Sequence, residues 1–137
     1  YGYATGGGTD TAKLYDSDGN DTFTADGAAN GVRLQGGSID LYAEGFEQSY
    51  AYATGDGDDT ARLYDSADDD TFSTDGAANG ARLQGGGIDL YAEAFEKTYG
   101  YATGGGTDTA KLYDSDGHDT FTADGRARAW GLIRSAT

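Results

Sequence analysis

Aspartates recur at fixed intervals in short segments that are rich in glycine, serine and threonine. Asp10, Asp16 and Asp21 are each repeated twice, at intervals of 49 residues. Carboxylates beside the backbone carbonyls of Gly-rich turns are the oxygen ligands that Ca²⁺ prefers. The pattern predicts turn-bound calcium with ligands drawn from nine residues: Asp10, Asp16, Asp21, Asp59, Asp65, Asp70, Asp108, Asp114 and Asp119. The alternative is that these aspartates are solvated and form Asx turns.

Catalytic chemistry finds little support in the sequence. The single histidine, His118, occurs in one of three copies of its segment, and the chain has no cysteine. The recurring serines, Ser17, Ser66 and Ser115, have no base at a matching position. Carboxylates are plentiful, but they are predicted to lie in repeating turns and not in one pocket that separates their pKa values. We therefore expect a protein that is not an enzyme.

The composition is strongly acidic. Asp and Glu number 24 against 9 Lys and Arg, which gives a formal net charge of −15 over 137 residues. This charge disfavours nucleic acid, whose phosphates it would repel, and favours cations and basic partners. No stretch approaches the roughly 18 apolar residues that a membrane span needs. Because the sequence has no signal peptide and no initiator Met, we expect a chain that is processed or cut from a longer one. The acidic, cysteine-free composition, rich in Gly, Asp and Thr, suits an extracellular or cell-surface protein.

An internal repeat of 49 residues organises the chain. The segment at residues 3–6 returns at 52–55 and 101–104, and residues 3–27 differ from 101–125 only at Asn20 against His118. Residues 1–125 therefore comprise one unit at 1–49, a second at 50–98 and a partial third at 99–125. Tandem units of this size indicate an array in which each unit packs on its neighbours.

Apolar residues alternate over short runs within each unit. Between Thr11 and Tyr15, for example, Ala12 and Leu14 share one side of the chain. This period of two predicts β-strands, and no segment has the period of a helix. We predict an all-β fold, a parallel β-helix or β-roll-like solenoid with about two coils per 49-residue unit. Equivalent leucines and equivalent aspartates of successive units would then stack in ladders about 9.6 Å apart.

Tyrosines recur at positions that would face outward from these strands, at Tyr15, Tyr42, Tyr64, Tyr91 and Tyr113. They are interpreted either as a stacked ladder that stabilises the strands or as a face that binds sugars or a partner. The ladder is the interpretation that we favour, because cross-strand aromatic pairs stabilise sheets.

Two segments resemble known repeats. Residues 6–12 read GGGTDTA and residues 19–23 read GNDTF, and both resemble the G-G-x-G-x-D-x-U-x nonapeptide of calcium-binding RTX β-rolls. That resemblance implies that Asp10 and Asp21 are ligands and that Ala12 and Phe23 point into a core. Residues 1–125 are also similar to tandem repeats of about 49 residues in very large bacterial surface or secreted proteins. This likeness, carried by TDTAKLYDSDGNDTF, LYAEGFE and YAYATG, implies a β-helix-like solenoid in a surface or matrix module without a catalytic role.

The end of the chain departs from the repeat. Residues 126–137 contain three of the nine basic residues and no acidic one, together with Trp130, Leu132 and Ile133. The segment is a cap for the last coil, a docking strand that completes the half-unit of another chain, or an assembly artefact. Docking of this kind does not close on itself and would give a filament.

These features together predict a structural protein of an extracellular fibre or cell-surface matrix. Copies of the chain would assemble end to end, and Ca²⁺ in the Asp/Gly turns would stiffen the coils. Glycans are further candidate partners. The alternative is a calcium-dependent adhesion or carbohydrate-binding module. Chelation would unfold the strands in the first case and abolish ligand retention in the second.

Overall fold

Residues 1–113 form twelve β-strands in a computed structural model, which describes this part of the chain. The strands are β1 (Gly2–Tyr3), β2 (Thr11–Tyr15), β3 (Asp21–Asp26), β4 (Gly31–Gly36), β5 (Ile39–Glu44), β6 (Gln48–Tyr52), β7 (Thr60–Tyr64), β8 (Asp70–Asp75), β9 (Gly80–Gly85), β10 (Ile88–Glu93), β11 (Lys97–Tyr101) and β12 (Thr109–Leu112). These residues contain no helix, and so no helix that could span a membrane. The partial third unit beyond residue 113, with Asp114 and Asp119, and the basic tail lie outside the described residues.

The strands form two sheets of six strands each. The first sheet has the order β1-β5-β4-β3-β7-β11, and the second sheet has the order β12-β8-β9-β10-β6-β2. Within β3–β5 and within β8–β10 the neighbours are antiparallel, and every other pair is parallel. The two sheets share one apolar core.

The predicted parallel solenoid is therefore wrong. Each 49-residue unit contains a three-stranded antiparallel meander, in which Leu34 pairs with Leu41 and Leu83 pairs with Leu90. A solenoid coil needs parallel pairing throughout, and these hairpins exclude it. Only two residues separate β4 from β5, and an antiparallel hairpin can be closed by so short a connection whereas a parallel crossover cannot.

Successive units place equivalent strands in opposite sheets. The meander β3–β5 lies in the first sheet, and its equivalent β8–β10 lies in the second. For the same reason Leu14 of β2 lies in the second sheet whereas Leu63 of β7 lies in the first, so the predicted leucine ladder does not form. The units are joined instead by parallel pairing of β3 with β7 and of β8 with β12.

The core is built from small residues and a few large ones. The strand predicted over Thr11–Tyr15 is confirmed, and Ala12 and Leu14 are its buried residues. Alternation in the other strands buries further side chains, among them Phe23, Ala25, Val32, Leu34, Ala51, Ala61, Leu63, Leu83, Leu90 and Ala92. Phe95, in the connection between β10 and β11, is also buried. In most strands the alternating pattern buries one face and leaves the other at least partly exposed, as expected for two packed sheets.

Candidate metal centre

The candidate site lies where the chain crosses between the sheets. Residues 16–20 lead from β2 to β3 and residues 53–59 lead from β6 to β7, so both loops pass from the second sheet to the first. The Gly19 amide donates to the Asp56 carbonyl at 2.6 Å, and the Asp58 amide donates to Asn20 Oδ1 at 3.0 Å. A loop of one repeat is thereby fixed against a loop of the next.

The first triad is formed by Asp16, Asp21 and Asp59. Each contributes a carboxylate oxygen that lies within 4.8 Å of an oxygen from each of the other two. Asp16 follows β2, Asp21 begins β3 and Asp59 precedes β7. The parallel pairing of β3 with β7 brings Asp21 and Asp59 together, and Asp16 reaches them from the second sheet.

Backbone amides hold the carboxylates of the first triad in place. The amides of Thr54 and Gly55 donate to Asp16 Oδ1 at 2.7 and 2.9 Å. The amide of Asp21 donates to Asp59 Oδ1 at 2.7 Å. The second oxygen of Asp16, Oδ2, is buried and has no hydrogen-bond partner. One oxygen of this carboxylate is therefore used for structure and the other is left for a ligand.

The second triad repeats this arrangement one unit later. It consists of Asp65, Asp70 and Asp108, with oxygens again within 4.8 Å of one another. The amides of Thr103 and Gly104 donate to Asp65 Oδ1 at 2.9 and 2.7 Å. Asp65 and Asp70 are each only 2% exposed, yet Asp65 Oδ2 and Asp70 Oδ1 have no partner. A buried carboxylate oxygen without a partner is costly, and two occur together here.

The two triads lie beyond opposite ends of β7. Asp59 precedes β7 and Asp65 follows it, so this five-residue strand separates the triads by about 20 Å. Each triad combines two aspartates of one repeat with one aspartate of the next. Equivalent residue positions of successive repeats thus build both sites, although the sites lie beyond opposite ends of β7.

The electrostatics of the triads favour a cation. Two carboxylates 4.8 Å apart repel by about 3.5 kcal/mol at an effective dielectric constant of about 20. Burial raises the pKa of Asp59, and the charges of Glu96, Asp16 and Asp21 raise it further, against the lowering effect of the Asp21 amide. Within residues 1–113, the arginines that form ion pairs pair with Asp40 and Asp89, outside the triads. The two triads can hold a metal ion.

Glycines let the hairpin turns approach the triads. A Cβ on Gly36 would lie 2.7 Å from Asp21 Oδ1, and one on Gly86 would lie 2.5 Å from the Ser66 hydroxyl. Gly86 also has a φ of +52°, a conformation that costs other residues about 1–2 kcal/mol. Ser66 in turn donates its amide and hydroxyl to Asp70 Oδ2 at 3.0 and 2.8 Å. The turn at Gly86 therefore packs directly against Ser66, whose hydrogen bonds hold Asp70 of the second triad.

Six of the nine predicted ligands come together in this way, but not as ladders of equivalent residues. The remaining described one, Asp10, belongs to neither triad, and its amide donates to Glu47 Oε2 at 2.8 Å. Asp114 and Asp119 lie outside the described residues. Sequence reasoning missed the supporting residues Thr54, Ser66 and Glu96. The recurring D-S-x-x-x-D spacing of Asp65, Ser66 and Asp70 was a signal for one of them.

The tyrosines on the outer faces contact one another. Tyr15 stacks on Tyr52 with ring centroids 5.2 Å apart, and Tyr64 stacks on Tyr101 at 4.5 Å. Each stacked pair joins neighbouring parallel strands. In both pairs one ring face is covered by the partner ring, as in a stabilising ladder.

Comparison of the chain with protein-family models, with curated proteins and with solved structures finds no match. The resemblance to RTX repeats and to large bacterial surface proteins stays a prediction.

Proposed function

We propose that the chain is a non-catalytic structural repeat protein of an extracellular or cell-surface assembly, in which Ca²⁺ fixes each repeat to the next. The observation that carries this proposal is the composition of the triads. Two aspartates of one repeat meet one aspartate of the following repeat, and two of the three side chains in each cluster are buried. Each cluster contains at least one buried oxygen without a hydrogen-bond partner. A cation bound there bridges the junction and removes the repulsion among the three carboxylates.

The chemistry of the donors favours Ca²⁺ among the common metals. The triads offer carboxylate oxygens, and the chain has no cysteine and only one histidine, His118. Hard oxygen ligands suit Ca²⁺ and Mg²⁺ and not the softer transition metals. Mg²⁺ demands a near-ideal octahedron and keeps its waters, whereas Ca²⁺ accepts irregular sets of protein oxygens. The carboxylates of the triads are held in irregular loops that cross between the sheets, and such a ligand set suits Ca²⁺.

The way that the repeats associate supports a structural role. Parallel pairing continues both sheets from one unit to the next, so more units lengthen the sandwich without changing its cross-section. Assembly of copies end to end into a filament would extend the same sheets. The stacked tyrosines support the ladder interpretation, and so the adhesion alternative gains no specific support from them.

The proposal is tested by thermal unfolding in Ca²⁺, in Mg²⁺ and in chelator. Ca²⁺ at about 100 times its Kd should stabilise the fold by about 2.7 kcal/mol per site, and Mg²⁺ should stabilise it much less. Identical unfolding curves in Ca²⁺ and chelator would contradict the proposal.

Asn substitutions at Asp16 and Asp65 sharpen this test. Asn keeps the Oδ1 acceptor that the backbone amides use, and replaces only the oxygen that has no partner. We expect D16N/D65N to fold at least as well as the native chain in chelator, because two repulsive charges are gone. It should lose most of the gain in Ca²⁺. Asp18→Asn, an exposed neighbour in the same loop as Asp16, is the matched control and should respond to Ca²⁺ normally.

A further inference from the structure

Each stacked tyrosine pair lies where the chain returns to a sheet that it has left. Tyr15 ends β2 in the second sheet, the chain then forms the meander β3–β5 in the first sheet, and Tyr52 ends β6 back in the second sheet. Tyr64 and Tyr101 are related in the same way around the meander β8–β10. In both cases the two tyrosines are register partners on neighbouring parallel strands. A bond between the two rings would therefore close a loop that contains one whole meander.

The rings of these two pairs lie face to face. The ring planes of Tyr15 and Tyr52 are 18° apart with centroids separated by 5.2 Å, and those of Tyr64 and Tyr101 are 10° apart with centroids separated by 4.5 Å. At these separations the edge carbons of the two rings lie alongside each other, and a small rotation about the side-chain torsions brings two of them into contact. Tyr15 is 53% exposed and the other three rings are partly exposed, so a small oxidant in solution reaches both pairs.

The composition directs one-electron oxidation to the tyrosines. The chain has 11 tyrosines and one tryptophan, Trp130, and it has no cysteine and no methionine. The sulfur atoms that oxidants readily attack are therefore absent. Phenol side chains are the main group in this protein that can give up a single electron.

We propose that the pairs Tyr15–Tyr52 and Tyr64–Tyr101 are sites of oxidative tyrosine–tyrosine coupling. A one-electron oxidant, such as a peroxidase intermediate or a photo-excited metal complex, takes one electron from each phenol, and each phenol releases its proton to water. The unpaired electron of each phenoxyl radical is shared between the oxygen and the ring carbons ortho to it.

The two radicals then combine. A carbon–carbon bond forms between one ortho carbon of each ring, the hydrogen on each of these carbons leaves as a proton, and both phenol oxygens are protonated again. The protein loses two hydrogen atoms in total, and the oxidant gains two electrons. The product ties β2 to β6, or β7 to β11, and this coupling does not rest on the cation sites.

Other tyrosine contacts in the second sheet have a different geometry. Tyr91 meets Tyr50 and Tyr52 edge to face, with interplanar angles of 89° and 70° and centroids 6.1 and 6.4 Å apart. The edge of one ring is directed at the face of the other, so the ortho carbons do not lie side by side. These contacts are an internal control, because Tyr52 also belongs to a stacked pair.

Trypsin separates the two geometries, because it cuts after Lys and Arg. The relevant peptides are 14–33 with Tyr15, 34–62 with Tyr42, Tyr50 and Tyr52, 63–82 with Tyr64, 83–97 with Tyr91, and 98–111 with Tyr99 and Tyr101. The full chain is oxidised in dilute solution by light-activated ruthenium tris(bipyridyl), with persulfate as the electron acceptor. Monomers are isolated before digestion, because exposed tyrosines such as Tyr1 and Tyr3 couple between molecules.

Mass spectrometry should find peptide 14–33 joined to 34–62 and peptide 63–82 joined to 98–111, each pair lighter than its two parts by two hydrogen atoms. Fragmentation should place the bonds at Tyr52 and Tyr101. The product of the edge-to-face contacts, 34–62 joined to 83–97, should be about tenfold or more less abundant, because coupling depends on orientation. Equal amounts of the three products, or the same yields from the chain in concentrated urea, would overturn the proposal.

Phenylalanine variants assign the bonds to their residues, because Phe keeps the stacked ring and removes the hydroxyl that a phenoxyl radical needs. Tyr64→Phe should abolish the product of 63–82 with 98–111 and leave that of 14–33 with 34–62 unchanged. Tyr91→Phe is the matched control and should leave both products unchanged. Loss of both products in Y91F would mean that coupling passes through the edge-to-face contacts, which contradicts the proposed sites.

Discussion

Two arginine–aspartate pairs occupy equivalent positions in successive repeats but lie in different surroundings. Arg33 donates to both carboxylate oxygens of Asp40, and Arg82 does the same with Asp89. The side chain of Asp40 is 51% exposed, whereas that of Asp89 is 12% exposed. Asp89 also accepts the hydroxyl of Tyr50 at 3.3 Å from the preceding β6 strand. The pair of Arg33 with Asp40 is thus solvated, whereas Arg82 and Asp89 belong to a partly buried network with Tyr50.

Removal of the arginine should therefore have unequal effects on stability. Arg82→Ala leaves the Asp89 carboxylate poorly hydrated and without its main donors, which should cost about 2 kcal/mol. Arg33→Ala leaves Asp40 in contact with water and should change stability much less. Urea unfolding of the two variants in the same Ca²⁺-containing buffer compares them directly. Equal shifts of the two midpoints would show that burial of Asp89 does not determine the cost.

At the scale of residues, sequence reasoning found the ligand types and missed their combination. The carboxylates of Asp16, Asp21 and Asp59 were each recognisable from Gly-rich context and a fixed period. Which of them meet depends on pairing between repeats, and a period of 49 residues fits both stacked coils and alternating sheets. The orphaned oxygens depend on loop geometry, for which the sequence contains no direct signal.

At the scale of elements, alternation identified the strands but not their partners. Apolar residues at a period of two indicate that one face of a strand is buried, and this pattern is equally compatible with parallel and antiparallel neighbours. The two-residue connection between β4 and β5 contained the missing information, because a hairpin can close over it. The prediction of a parallel solenoid did not use the length of this connection, and its strand pairing is wrong for that reason.

The position of a strand in the array should determine what its leucine contributes. Leu90 of β10 is 2% exposed and is covered from both sides, so Leu90→Ala should cost about 2–5 kcal/mol. Leu41 of β5, the equivalent residue beside the edge strand β1, is 37% exposed, so Leu41→Ala should cost less than half as much. Chemical denaturation of both variants measures the difference. Equal destabilisation by L41A and L90A would show that the difference in exposure between the two leucines does not determine their contribution to stability.

The whole molecule is an alternating array, and this has a consequence for its dimensions. Equivalent strands return to the same sheet after two repeats, and five strands are added to each sheet over that interval. At a strand spacing of about 4.8 Å, each repeat should lengthen the sandwich by about 12 Å. A string of independent 49-residue domains would add about 25 Å per repeat.

Tandem arrays of two, four and six copies of residues 50–98 test this geometry by small-angle scattering in Ca²⁺. The maximum dimension should rise linearly by about 12 Å per repeat while the cross-section stays constant, because every added unit continues both sheets. Arrays with Asn at each position equivalent to Asp16 are the matched set. The maximum dimension of the Asn arrays should rise by the same amount per repeat if strand pairing alone sets the geometry. It should rise by more per repeat if the cation holds the units together. An increment near 25 Å in the native arrays would mean that the repeats fold separately, and the parallel pairing of β3 with β7 would then not hold in solution.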